Sequence, residues 1–367
     1  MSKVLVVTNN LDSGLGITEW IRHYYNALVR EYNMDVTIIV ESGKINVPSG
    51  YFEKKIRIIK FHEMKTKPLA YVLDWLKYRK TCNLFDYIHF HTDNLTKFFP
   101  LLLLFNKNNV VIHSHNSTND KVTSSKLKTI MNSIGKYVVK QSKFVNFACS
   151  DTAAEWLFGN QPYIQVNNGV NIKDFAFNNE LRKRYIIELQ LQGKRVFAHV
   201  GRFSHQKNQI RLIKIFKEIH NNIPDSVLLL IGQGDLENEI KRMVSYEGLT
   251  KSVRFLGFRN DIRNLMNAVD DIIFPSLYEG LPISLVEAQA NGVPVFYADT
   301  ITSEVKLLPS SKSFNLSQSD NNIASIILTN LVEMDALERI KAQDIVEKKG
   351  YGDEHTVTQL YNFYSKR

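Results

Sequence analysis

Cysteine is nearly missing from this chain of 367 residues: only Cys82 and Cys149 are present. Two isolated thiols make neither a metal-ligand spacing nor a disulfide framework, which excludes a small secreted scaffold and leaves buried, reduced thiols as the expectation. Long apolar runs are missing too. The longest, Phe98–Phe105, is far too short to span a bilayer, and the N-terminus enters a strand at once without a signal peptide. A cytoplasmic protein is expected. With 44% hydrophobic and 23% charged residues the chain can bury a sizeable core, and its length suits two domains.

The second half lacks net charge. Residues 176–367 hold 24 Lys plus Arg against 23 Asp plus Glu, whereas residues 1–175 hold 22 against 14. The basic half is the one that meets an anionic partner. No nucleic-acid motif accompanies it and its aromatics are not interleaved with basic residues, so an anionic membrane surface is the better expectation and nucleic acid is not.

What the first half does have is alternation. Strands are expected at Lys3–Thr8, Asp35–Val40, Ile56–Phe61, Asp86–His91, Val110–His115 and Phe144–Cys149, with helical stretches between them such as Ile17–Arg30. This pattern argues for a parallel sheet wrapped by helices, whose ligands bind at the carboxyl ends of the strands. The first such end, Asn9–Thr18, carries glycines that let a backbone approach a ligand closely. Two later strands end in histidines. His89 and His91 share one strand face, as do His113 and His115. Four histidines invite a zinc reading, but no acid or cysteine completes a ligand pattern, so no metal site is expected.

Between Lys121 and Lys143 lie six lysines and no acid, with Leu127, Ile130, Met131, Ile134 and Val138 at helical spacing on one face. A basic amphipathic helix of this kind suits a membrane surface; it equally suits a helix packed on its own sheet.

In the second half, Arg195–Asn208 reads as a buried strand ending at Gly201, followed by Arg202 and Lys207. An arginine fork and a mobile lysine charge just beyond a strand end can clamp a diphosphate. The stretch Pro275–Val295, PSLYEGLPISLVEAQANGVPV, follows the short strand Asp271–Pro275. Ser276–Gly280 is a polar turn, Pro282 suits a helix start, and the helix runs through Ile283, Val286, Glu287 and Ala290 to stop at Asn291-Gly292. The amides of Leu281, Ile283 and Ser284 then surround a helix N-terminus able to hold an anion. Glu279 and Glu287 flank it at about 10 Å by helical rise, and carboxylates grip sugar or ribose hydroxyls well. The same spacing suits a helix-capping Glu279 and a solvated Glu287, and spacing alone does not choose.

PSLYEGLPISLVEA resembles the E-x7-E signature of the retaining nucleotide-sugar glycosyltransferases of family four, most of all the bacterial members that assemble capsule and exopolysaccharide units. The resemblance extends from the first glycine turn to the last helix. It implies an α/β chain of GT-B type, two Rossmann-like parallel-sheet domains facing a cleft: an acceptor-side domain at 1–175, a nucleotide-sugar domain at 176–350, and a helix at 351–367 that crosses back to the first. Val166–Phe175 resembles the hand-over between domains, with a polar linker from about Asn171 to Lys194.

The resemblance also implies residue roles. His115 would face the transferred sugar. Gly16 would meet the donor diphosphate through its amide; relatives show two adjacent glycines where this chain has Leu15-Gly16, and Gly14 supplies the lost flexibility. Arg202 and Lys207 would stabilise the departing diphosphate, together with the amides around Gly280, Leu281, Pro282 and Ile283. Glu279 would grip sugar hydroxyls and Glu287 the ribose, while Phe258 and Arg259 would hold a uracil by backbone as much as side chain. The implied reaction is retaining transfer of a hexosyl group from a nucleotide sugar, a UDP-hexose or UDP-N-acetylhexosamine, to a lipid-linked saccharide. No Asp-x-Asp motif is present to hold a cation, so protein cations replace the metal and no cofactor is expected. Two rivals stay open: a nucleotide-sugar 2-epimerase, which would need no acceptor, and a non-catalytic partner subunit, which would be expected to lose the Arg202, Lys207, Glu279 and Glu287 set.

Overall fold

The computed structural model describes residues 2–118 and 120–366, without the side chains of residues 120 and 121. Residues 2–168 with 353–366 form one compact unit and Gly169–Gly352 the other. The division falls a few residues from 175/176 and 350/351 because Val170 pairs with the far end of its own unit: its amide donates to the Tyr351 carbonyl at 2.9 Å, and it bridges to Gly352.

The first unit is built on seven parallel strands: β1 (Lys3–Thr8), β2 (Asp35–Val40), β3 (Arg57–Lys60), β4 (Tyr87–Thr92), β5 (Val110–Ser114), β6 (Val145–Ala148) and β7 (Ile164–Gln165). They lie in the order β3-β2-β1-β4-β5-β6-β7. Val4, Leu5, Val6 and Val7 are all buried, as expected of a central parallel strand covered by helices on both faces. Helix α1 (Gly16–Tyr32) buries Trp20, Ile21, Tyr24, Tyr25 and Leu28, the three-and-four spacing that points one stripe at the sheet. The closing helix Asp353–Ser365 belongs to this unit. It places Val357, Leu360 and Tyr364 in the same core, and Tyr361 stacks on Tyr32 of α1 at 3.9 Å between ring centres. Burying such side chains contributes roughly 1.5–3 kcal/mol each.

The second unit holds β8 (Arg195–Val200), β9 (Ser226–Ile231), β10 (Val253–Gly257), β11 (Asp271–Phe274), β12 (Val295–Ala298) and β13 (Lys312–Phe314). All pairs are parallel, in the order β10-β9-β8-β11-β12-β13. Each sheet therefore reverses direction of strand addition once, between β1 and β4 in the first and between β8 and β11 in the second. In doubly wound sheets that reversal opens the crevice where ligands bind, at the carboxyl ends.

Two expectations need correction. Residues 171–194 are not a linker: Asn179–Glu188 is a helix capped by the Asn178 side chain, and Arg182 bonds the Asn267 carbonyl at 3.0 Å and Asp270 at 2.7 Å. The polar residues that suggested a loop are anchors to the second unit. The lysine-rich helix Lys126–Gln141 also turns the other way from a simple sheet-packed helix. It buries Asn132, Gly135, Val138 and Val139 and exposes Leu127, Ile130 and Ile134. The cause is close approach. A Cβ on Gly135 would stand 2.3 Å from the Leu95 carbonyl oxygen, and Asn132 accepts the Leu95 amide at 2.7 Å, so the small face presses inward. Of the expected stripe, only Val138 is buried. Lys121, which opens that stretch, has its side chain outside the described residues. No helix among the described residues is long and apolar enough to cross a membrane. Both cysteines are buried.

Candidate functional site

In the second unit the loops after β8 and β11 meet at the reversal point. They are laced together: the Leu277 amide donates to the Gln206 carbonyl at 2.8 Å, the Gln206 side chain donates to the Tyr278 carbonyl at 2.9 Å, and Asn208 donates to the Pro275 carbonyl at 3.1 Å. Beneath them Gln209, fully buried, donates to the Arg202 carbonyl at 3.0 Å and contacts His199 at 3.2 Å. None of these three amide side chains, Gln206, Asn208 and Gln209, was singled out from sequence, because amides carry no charge or spacing signature. The loop after β9 packs on the same site. A Cβ on Gly232 would sit 2.1 Å from the Gly201 carbonyl oxygen and one on Gly234 2.2 Å from that of Phe203, so only glycine allows the approach.

This scaffold joins two of the expected site residues directly. Lys207 Nζ lies 2.7 Å from Glu279 Oε1, with both side chains largely buried, and 4.6 Å from the centre of the Phe274 ring. Glu279 is fixed from its backbone by a bridge to Ile301. Helix α2 (Ile283–Ala290) follows, starting after Pro282, whose own side chain makes no capping bond, and ending at Asn291 before Gly292. Gly280, Leu281 and Pro282 are buried, Ile283 and Glu287 partly so. The Ser276 hydroxyl is buried at the start of this loop with no partner among the described residues. The other end of α2 is held by buried Arg339, which donates to the Asn291 and Val269 carbonyls at 3.1 Å each and is pushed down to about 9 by burial.

Other expected residues lie apart from the pair. Arg202 is exposed and donates to Asp235 at 3.1 Å. Arg259 is spent on Asp261, which it holds down to about 2. Phe258 leaves 55% of its surface in solvent after β10.

In the first unit, the carboxyl ends of β4 and β5 bring the four histidines onto one face under α1, with His91 directly opposite His113 in the register. His115 follows β5 and is partly buried. Its Nε2 lies 2.8 Å from His91 Nδ1. Burial lowers all four imidazoles, His115 to about 3, so all are neutral near pH 7. Ligand atoms of His89, His91 and His113 lie within 4.8 Å of one another. The rings of His89 and His91 stack at 4.2 Å and 22°, and those of His89 and His113 at 5.3 Å and 19°, while His91 and His113 are tilted by 40°. Gly16 opens α1, and a Cβ there would meet nothing within 4 Å. The protein itself thus has no steric need for glycine at that position.

Comparison with known proteins fits this geometry. Residues 182–309 match the family model described as glycosyl transferases group 1. A protein of Bacillus subtilis (strain 168) that carries the name glycosyltransferase EpsF is 32% identical over 248 residues, 66% of this chain and 64% of that protein. The UDP-Gal:alpha-D-GlcNAc-diphosphoundecaprenol alpha-1,3-galactosyltransferase of Escherichia coli is 39% identical over 134 residues, 35% of this chain and 34% of that protein. The matched segments thus span less than two thirds of either relative. Among solved structures, Anabaena Alr3699/HepE in complex with UDP and glucose superposes with a TM-score of 0.76 over 100% of both chains at 18% identity, a likeness of fold. The two doubly wound units are the GT-B fold, and residues 182–309 are similar to the group 1 glycosyl transferases.

Proposed function

We propose that the chain is a retaining, metal-independent glycosyltransferase. It moves a hexosyl group from a UDP-hexose or UDP-N-acetylhexosamine to a lipid-linked saccharide in capsule, exopolysaccharide or other surface-glycan synthesis. The observation that carries this reading is the buried Lys207–Glu279 pair at the reversal point of the second sheet, beside the start of α2. A cation, a helix N-terminus and a carboxylate in one place suit a sugar diphosphate, whose leaving group gathers charge as the glycosidic bond breaks. Lys207 and the amides around Gly280–Ile283 stabilise that charge in place of a metal, and Arg202 joins them by leaving its exposed partner Asp235.

The acceptor hydroxyl oxygen bonds to the anomeric carbon on the face the diphosphate leaves, and its proton passes to a leaving phosphate oxygen. No enzyme nucleophile intervenes. Glu279 grips sugar hydroxyls, Glu287 the ribose, Phe258 and the Arg259 backbone the base, and the Gly16 amide and His115 are further donor contacts. The diphosphoundecaprenol in the Escherichia coli relative's name favours a polyprenyl-linked acceptor. The outward stripe Leu127, Ile130 and Ile134, set among lysines, suits an anionic membrane carrying such an acceptor at the cytoplasmic face. No observation favours the epimerase or the silent-partner reading.

The test is to incubate the protein with UDP-hexoses, with and without a polyprenyl-diphosphate sugar, and to determine the anomeric configuration of any product by NMR. An α-linked product from an α-linked donor is expected. A β-linked product, or an epimerised donor formed without acceptor, would overturn the reading.

A further inference from the structure

The histidine cluster does more than surround His115. His115 Nε2 lies 2.8 Å from His91 Nδ1, His91 Nε2 lies 3.1 Å from the Tyr25 hydroxyl, and Tyr25 lies 3.0 Å from the Tyr364 hydroxyl and 2.9 Å from His89 Nδ1. Tyr364 also contacts His89 Nδ1. An unbroken chain of polar hydrogens therefore runs from the closing helix, through α1, to the histidine at the end of β5.

We propose that His91 is a positioning residue that holds His115 as its Nδ1–H tautomer and so makes it a hydrogen-bond donor toward a bound sugar. This rests on the reading that His115 faces the sugar. A neutral imidazole has one N–H and one lone pair, so the segment from His115 through His91 to Tyr25 runs in one of two directions. If it ran from His115 toward Tyr25, either His89 Nδ1 would accept and its proton would sit on Nε2, or a tyrosine O–H would be left without an acceptor. His89 Nε2 is fully buried with no partner among the described residues. In the opposite direction, His89 Nδ1–H donates to Tyr364, Tyr364 to Tyr25, Tyr25 to His91 Nε2, and His91 Nδ1–H to His115 Nε2. The atom left alone is then a lone pair. Buried N–H groups without an acceptor are rarer than under-used acceptors, and this fixes the direction. His115 accepts at Nε2 and carries its proton on Nδ1, the nitrogen outside the chain.

Neither tyrosine sets the tautomer alone. Tyr25→Phe leaves His91 Nε2 with an unused lone pair, and a proton moved there would be the orphaned N–H that the same rule disfavours, so His91 keeps its Nδ1–H on His115. Tyr364→Phe removes an equally buried hydroxyl, but Tyr25 still reaches both His89 and His91. His91→Leu removes the donor itself.

The experiment is long-range proton–nitrogen correlation on protein labelled at histidine nitrogen, with the His115 signals assigned by their loss in His115→Asn. The wild type, Tyr25→Phe and Tyr364→Phe are all expected to show His115 protonated on Nδ1. In His91→Leu, kcat should fall roughly tenfold, less than the ~100-fold of losing a donor outright, with donor KM unchanged, and His91→Asn, whose amide N–H stands near the place of Nδ1–H, should recover most of it. Wild-type His115 protonated on Nε2, or a wild-type kcat in His91→Leu, would overturn the proposal; should His91→Leu fail to fold, the wild-type spectrum still decides. If the tautomers are as assigned but His115→Asn turns over at the wild-type rate, the positioning role falls with the sugar-facing reading while the tautomer assignment stands.

Discussion

Lys207 and Glu279 are 2.7 Å apart, so each occupies the other. The lysine is held ready by a carboxylate, and a diphosphate entering beside α2 shares that charge. Glu279→Gln should therefore leave affinity for free UDP equal or tighter, because Lys207 is released to the phosphate, while turnover falls by about 100-fold. A large loss of UDP affinity would contradict the sugar-gripping role.

The converse change is harsher. Lys207→Met leaves Glu279 buried and unpaired, which costs about 3–5 kcal/mol as well as the charge on the leaving group. Urea denaturation with UDP titration should show both losses in the second unit. Wild-type stability together with wild-type UDP affinity would remove Lys207 from the site.

Glycines separate fold from function cleanly. Gly232→Ala drives a Cβ to 2.1 Å from the Gly201 carbonyl oxygen, at a φ of +139° that resists any side chain. About 3 kcal/mol of stability should be lost. Gly16→Ala meets nothing within 4 Å and lies in α1, so stability should hold or rise by up to about 1 kcal/mol, while donor KM rises if the diphosphate approaches that backbone. An unchanged KM would place the diphosphate elsewhere.

The sequence read well wherever charge type, spacing and hydrophobic period agreed. The helix at Ile283 begins after Pro282 and stops at Asn291-Gly292 because those residues act on their own backbone, whatever surrounds them. The alternation of strands and helices in the first half pointed to one parallel sheet, and the resemblance to the second. Residues 171–194 misled because polarity marks both loops and anchored helices, and only the partners, Asp270 for Arg182 and Asp261 for Tyr185, tell them apart. The facing of Leu127, Ile130 and Ile134 was hidden because an apolar stripe does not say what lies opposite; Gly135 against Leu95 decides it. The histidine chain was half visible. Strand alternation put the four imidazoles in pairs, but Tyr25 and Tyr364 reach them from opposite ends of the chain.

The histidine cluster also sets a pH dependence. Burial holds the folded pKa values of His89, His91, His113 and His115 below the ordinary 6.5, so below that pH the unfolded chain binds more protons than the folded one. Stability is full above about pH 6.5 and falls as the pH drops, by up to ~1.4 kcal/mol per pH unit for each histidine. Denaturant midpoints measured from pH 7.5 to 5 should fall steeply and should flatten when His89 and His113 are replaced by phenylalanine. A flat wild-type profile would contradict the neutral cluster.

Membrane docking has its own check. Sedimentation with anionic vesicles at low salt should carry the protein down, and Leu127→Ser with Ile130→Ser should release most of it. Unchanged sedimentation with and without vesicles counts against a membrane role for the exposed stripe.

The most direct measurement is a thermal-shift screen of UDP, GDP, ADP and their hexose conjugates on the wild type and on Lys207→Met. A ligand that binds only the native state at about 100 times its Kd adds ~2.7 kcal/mol of stability. The expected result is a shift confined to uridine compounds, largest for one UDP-sugar and lost in Lys207→Met. No shift with any nucleotide would contradict the nucleotide-sugar transferase reading.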